Sequence, residues 1–151
     1  MQRTGKQTYI GRFYHALEQK GRLSIPSSFR KQLNQSAVIT AGLDGCLFLL
    51  DDDRWETLVS TVDNLPLTQK RNRDWARYLA NNAASVEIDA QGRILIPEHL
   101  RQLANLKNTV VVVGSIDRIE IWNQSAYNRY LDTITHVVSD IAESISQGNT
   151  E

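Results

Sequence analysis

At 151 residues the chain is long enough for one globular unit or two small ones with a real core, and 41% hydrophobic and 23% charged residues are ordinary for a soluble protein. The longest apolar runs, Cys46 to Leu50 and Val110 to Val113, cannot span a bilayer, and the start lacks the basic-then-apolar pattern of a secretory leader, so no membrane and a reducing cytoplasm are expected. A formal net charge of zero argues mildly against nucleic acid, but residues 1–31 hold seven Lys or Arg against Glu18 alone, while after Leu131 only Asp132, Asp140, Glu143 and Glu151 carry charge.

In chain order, a short strand over residues 15–19 leads through a turn at Gly21 into a second strand, 22–25, where Leu23 and Ile25 alternate with polar residues as on a half-buried strand. Gly21 supplies the positive φ of a tight turn, and Pro26 stops the strand and opens a short helix through Leu33. Strands follow at Val38 to Gly42 and at Cys46 to Leu50; the lone thiol has no disulfide partner and reads as buried and inert. Asp51, Asp52 and Asp53 then suit the positive end of a helix reaching Leu65; an acidic triplet could hold a metal, but no His or Cys clusters with it. Residues 68–82 also read as helix, with Trp75, Tyr78 and Leu79 at helical spacing and Lys70, Arg71, Arg73 and Arg77 around them. That basic face is either merely solvated or in contact with phosphates.

The plan then repeats. Glu18-Gln19-Lys20-Gly21-Arg22-Leu23-Ser24-Ile25-Pro26 recurs as Asp89-Ala90-Gln91-Gly92-Arg93-Ile94-Leu95-Ile96-Pro97, acid-x-x-Gly-Arg-apolar-x-Ile-Pro in both copies. Phe29-Arg30 matches Leu100-Arg101, Val38 to Gly42 matches Val110 to Gly114, and Leu47 to Leu50 matches Ile119 to Trp122. The second copy therefore has strands at 85–90 and 93–96, a turn at Gly92, a short helix from Pro97 through Ala104, two further strands, and a helix from Asn123 to about Ser146. Residues 1–66 form the first half with a basic extension, 67–84 the connecting helix, and 85–151 the second half with an acidic helix. In that last helix Ile134, Val137, Val138, Ile141 and Ile145 form an apolar stripe, which packs on its own core or covers a neighbour.

The chemistry such a chain can offer is recognition of acceptors. A two-stranded β-ribbon can enter the major groove, where guanine O6 and N7 and the phosphates all accept hydrogen bonds. Lys20 and Arg22 flank Gly21: Arg22 suits a bidentate contact to guanine, and Lys20 a phosphate contact. Arg12 and Lys31 are lesser candidates on the same basic segment. The second turn has no lysine, so Arg93 reads chiefly as the partner of Asp89, locking its turn; the corresponding reading of Arg22 is a brace to Glu18. One ribbon makes few contacts, so several copies on an oligomer are expected to act together. His15, His99 and His136 share no ligand or triad spacing, and no phosphate-binding loop, HExxH or GxSxG occurs. Catalysis, a cofactor and a small-molecule substrate are not expected.

The paired motifs, with Val113-Gly114 and Ile119-Glu120-Ile121-Trp122, resemble the MraZ family over roughly His15 to Tyr130. That resemblance implies an α+β fold of two tandem AbrB-like swapped-hairpin half-domains, forming a pseudo-twofold β core with peripheral helices. It also implies ring-like homo-oligomers that bind double-stranded DNA at repeated short G-rich boxes upstream of the division and cell-wall gene cluster, usually repressing it, and hence a nucleoid-associated protein. Two departures stand out. Glu18 replaces the family's usual Asp and is expected to reach Arg22 across the hairpin, and the N-terminus runs longer, with Arg3 and Lys6. The competing reading is an AbrB-like antitoxin or interaction scaffold, which a single repeat with a disordered apolar tail would favour.

Overall fold

The computed structural model describes residues 8–148; Arg3 and Lys6 lie outside the described residues. The first half contributes β1 (Tyr9–Ala16), β2 (Arg22–Ser24), α1 (Ser27–Leu33), β3 (Ser36–Ala41), β4 (Leu47–Leu50) and α2 (Asp52–Asp63). The connecting helix is α3 (Lys70–Asn82), and the second half is β5 (Ala84–Glu87), β6 (Arg93–Leu95), α4 (Glu98–Leu103), β7 (Thr109–Ile116), β8 (Ile119–Asn123) and α5 (Gln124–Ser146). The first strand begins well before the predicted residue 15, because its pairing partner lies far away in sequence and carries it back to Tyr9.

The two halves exchange strands. β1 does not pair with the β2 that follows it; it runs antiparallel to β7 of the other half, Tyr9 opposite Ile116 and Ala16 opposite Thr109. Reciprocally, β5 pairs with β3, Ser36 opposite Glu87. The six-stranded sheet has the order β1-β7-β8-β4-β3-β5, which reads the same after the halves are interchanged. β2 and β6, each separated from its own hairpin mate, pair with one another as a two-stranded ribbon centred on Leu23 opposite Ile94. This is the swapped-hairpin α+β fold with its pseudo-twofold axis between the halves.

Strand alternation assigns the two faces of the sheet. Ile39, Ala41, Leu47, Leu49, Val110, Val112, Ile119 and Ile121 form the main core with Leu23 and Ile94 of the ribbon and with Phe29, Leu33 and Leu100 of the short helices. Phe29 meets Tyr9 and Phe13 edge-on, at 5.7 and 5.3 Å between ring centroids, fastening α1 to the exchanged strand β1. On the opposite face Phe48, Leu50, Val111, Val113 and Trp122 lie under Trp55 and Leu58 of α2 and Ala126 and Tyr127 of α5. Asp51 caps α2 by accepting from Arg54 N at 2.8 Å, and its other oxygen accepts from buried Tyr9 at 2.7 Å. Burial, followed by that carboxylate partner, pushes the Tyr9 phenol up. Cys46 is fully buried, and burial likewise raises its thiol.

Because each half completes its sheet with the other half's first strand, residues 1–66 and 67–151 expressed apart are expected to be poorly dispersed in NMR spectra and to aggregate. Mixing them during refolding should restore one dispersed species. A well-dispersed soluble monomer from either fragment alone contradicts the exchange.

Candidate nucleic-acid interface

The ribbon forms the outermost layer on its side of the sheet. Leu23 and Ile94 point inward and are at most 1% exposed, which turns Arg22, Ser24, Arg93 and Leu95 to the outer face. In register, Arg22 stands opposite Leu95 and Ser24 opposite Arg93, so the two motif arginines lie diagonally across the ribbon. Leu95 is half exposed there, an apolar contact among polar ones. Three residues per strand make a ribbon about 10 Å long, with its strands about 4.8 Å apart, which fits a major groove about 12 Å wide.

The loops before the two strands stand at opposite ends of the ribbon. Their backbone is nearly identical: Glu18 N donates to Arg22 O and Asp89 N to Arg93 O, each at 2.9 Å, while Gly21 N and Gly92 N return to Glu18 O and Asp89 O. Gly21 and Gly92 both sit at positive φ, +87° and +79°. Lys20 is also left-handed, at φ 64°, and its side chain is exposed at the first turn. Across the axis the halves clasp each other: Ile25 N donates to Gly92 O and Ile96 N to Gly21 O, both at 3.0 Å. The Arg101 guanidinium lies over Gly21 and that of Arg30 over Gly92, where a Cβ would stand. Arg101 Nε donates to Ile96 O at 2.9 Å, whereas Arg30 Nε is buried and has no acceptor among the described residues. The matched Arg30 and Arg101 were visible as part of the repeat, but their crossing over the opposite half's glycine was not.

Side chains break the symmetry. Asp89 Oδ1 accepts the N–H groups of Gln91 and Arg93 at 2.9 Å each, and its Oδ2 accepts Arg93 Nε at 3.2 Å. Those bonds, led by the Arg93 N–H, hold the Asp89 carboxyl below the usual range. Glu18, one methylene longer, does not fold back on its own turn and does not reach Arg22 as expected; it crosses the axis and accepts Arg93 Nη1 at 2.8 Å. Arg93 is therefore held by two carboxylates, and that contact with Glu18 raises its pKa. Arg22 forms no ion pair among the described residues, so its guanidinium keeps its donors for an external acceptor.

The remaining candidates are scattered. Lys31 is exposed on α1, in the ribbon's layer. Arg12 is on the opposite face of the sheet, over the Tyr127 ring at 5.8 Å, so it does not extend the ribbon's surface. The bases of α3 are on that far side too, since the buried Thr40 hydroxyl of β3 donates to Leu79 O there at 2.8 Å. That placement removes α3 from a phosphate-contacting role beside the ribbon. Among the described residues no three His, Cys, Asp or Glu cluster as a metal site, and no helix is long and apolar enough to cross a membrane.

Comparison with known proteins agrees with the two-half organisation. Residues 9–78 and 79–146 each match the family described as "MraZ protein, putative antitoxin-like". The protein named transcriptional regulator MraZ in Lactiplantibacillus plantarum is 44% identical over 137 residues, covering 91% of this chain and 97% of that protein. Those of Pediococcus pentosaceus and Caldanaerobacter subterraneus are 40% and 37% identical, over 91% and 93% of this chain and 96% and 98% of theirs.

Two outcomes follow from the turn geometry. Gly92→Ala forces a Cβ into the space of the Arg30 guanidinium at a left-handed φ, and should lower unfolding free energy in urea by at least about 1 kcal/mol. Asp89→Asn should lower Tm at pH 7. A carboxyl with a depressed folded pKa stabilises fully above its unfolded value and ceases to do so as pH falls through the folded one. The Tm gap to wild type should therefore shrink below about pH 4; a gap constant down to pH 2 contradicts the assignment.

Proposed function

The chain belongs to the MraZ family, and on that premise we propose that this transcription regulator reads duplex DNA by laying the β2/β6 ribbon in the major groove. The unequal pairing of its two motif arginines carries the reading: Arg93 is committed to Glu18 and Asp89, while Arg22 forms no ion pair among the described residues. Arg22 donates to the O6 and N7 of a guanine, Lys20 at the adjacent turn meets phosphate, and Lys31 adds a second phosphate contact. Ser24 and Leu95 complete the reading face. Glu18, Gly21, Asp89, Gly92 and Arg93 set the ribbon's shape rather than its sequence preference.

A ribbon this small buries much less than the roughly 1,000–2,500 Å² typical of specific DNA complexes. Several copies of the chain in a ring-like homo-oligomer, engaging repeated short G-rich boxes together, make up the difference by avidity. Repression of a division and cell-wall gene cluster, and residence at the nucleoid, are the biological form of this reading that the family resemblance suggests. An antitoxin role fits less well, because the C-terminal stretch is the helix α5, part of the second repeat itself, and not a trailing disordered segment.

Fluorescence anisotropy on boxed and scrambled duplexes at two salt concentrations tests the assignment. Arg22→Ala should erase the preference for the boxed sequence, a loss of about tenfold to a hundredfold per site. Lys20→Ala should weaken binding to both duplexes and reduce the salt slope by about one. Arg93→Ala should keep the preference and lower Tm. If Arg93→Ala loses the preference and Arg22→Ala retains it, the second half is the reading head.

A further inference from the structure

One residue on the outer face of the ribbon differs in chemistry from its neighbours there. Leu95 is 50% exposed, whereas Leu23 and Ile94 on the inner face are at most 1% exposed. It stands directly opposite Arg22, as Ser24 stands opposite Arg93. Ser24 and Leu95 also hold the same place in the two copies of the motif, two residues after the arginine. The half with serine at that place folds as the other does: Ile25 N donates to Gly92 O and Ile96 N to Gly21 O, both at 3.0 Å. The fold therefore does not require an apolar side chain there. One is turned to solvent only in the strand that lies beside Arg22, the motif arginine with no ion pair among the described residues.

The groove that such a face would meet offers little that is apolar. Guanine O6 and N7, the exocyclic amines and the phosphates are all polar, and the thymine C5-methyl is the apolar group that a base edge presents in the major groove. Its position suits a short side chain, because it projects from the base toward the protein. Residues directly opposite on a ribbon have Cβ atoms about 4.5–5.5 Å apart, and successive bases are about 3.4 Å apart along the helix axis. With Arg22 extended to a guanine, Leu95 comes over the base pair beside it.

We propose that Leu95 is a specificity-determining residue: it packs on the C5-methyl of a pyrimidine in the base pair next to the guanine bound by Arg22, so that the ribbon prefers thymine there. The proposal rests on the ribbon reading given above and adds a second base feature to it. The two cross-strand pairs then have different roles. Arg22 and Leu95 supply a donor and an apolar contact to adjoining base pairs. Arg93, beside Ser24, is occupied by Glu18 and Asp89 and holds the ribbon's shape.

Fluorescence anisotropy with the full chain tests this on variants of the boxed duplex. The guanine is located first, as the one whose replacement by 7-deazaguanine weakens binding of wild type but not of Arg22→Ala. The two base pairs flanking it are then rebuilt, in both orientations, with thymine, uracil, 5-methylcytosine or cytosine as the pyrimidine. At one placement wild type should bind thymine about threefold to fivefold more tightly than uracil per box, the effect of burying one methyl group. It should prefer 5-methylcytosine to cytosine by a like factor. Leu95→Ser, which gives the second strand the residue of the first, should lose both differences while keeping its Tm and its response to 7-deazaguanine. Leu95→Ile should keep all of them. Equal binding with and without the methyl at every placement overturns the proposal, with the guanine reading intact. So does a methyl preference that survives Leu95→Ser, or a Leu95→Ser protein whose Tm and guanine response fall together, which assigns Leu95 a structural role. A wild type that detects 7-deazaguanine nowhere overturns the reading by Arg22, and this proposal with it.

Discussion

Everything in this molecule depends on strand exchange between its halves. β1 needs β7, and β5 needs β3, for their backbone groups to be paired on the inner side. Once those strands have crossed, β2 and β6 have no hairpin mates left and can only pair with each other. The ribbon is thus a consequence of the exchange, held at the surface by the sheet below it and by the clasp of Arg30 and Arg101 over the opposite glycines. A ribbon of three residues per strand has little stability of its own; here it inherits rigidity from a core that includes Leu23 and Ile94.

Joining the two halves in one chain frees them to differ. In a symmetric pair of identical chains both acids and both arginines have to do the same thing. Here the first acid is Glu18 and the second Asp89, and one methylene decides where the charge goes. Asp89 is short enough to accept its own turn's N–H groups, whereas Glu18 spans the axis to Arg93. The result is one arginine that braces and one that has no ion pair among the described residues, diagonally across the same ribbon. Partly solvated ion pairs are individually modest in stability. Their effect is on which guanidinium remains available.

The same asymmetry organises the helical face. The connection between the halves contains α3, which lies beside α2 on the helical face. α3 carries Lys70, Arg71, Arg73 and Arg77 against Asp74, whereas α5 beyond Leu131 carries Asp132, Asp140 and Glu143, so charges that cancel over the whole chain are unevenly distributed. The ribbon is on the opposite side of the sheet from both helices.

The sequence by itself determined the repeat, the element order and the core, because those are local or periodic properties. The paired Gly-Arg-apolar-x-Ile-Pro motifs mark each turn and strand, alternation at Leu23, Ile25, Ile94 and Ile96 marks the buried side, and Asp51 and Asn123 mark the helix starts. Lys20 and Arg22 could be singled out for the same reason, since they flank a turn glycine. Partner choice across the chain was decided only by tertiary structure. The length of β1 depends on β7 a hundred residues away, Arg12 proves to be on the far face of the sheet, and α5 leaves its stripe uncovered because the core it meets ends near Leu131. Above all, Glu18 pairs with Arg93 rather than with Arg22, four residues away in sequence. Spacing along a strand gives the reach of a side chain within its own hairpin; it says nothing of a second strand brought alongside by exchange.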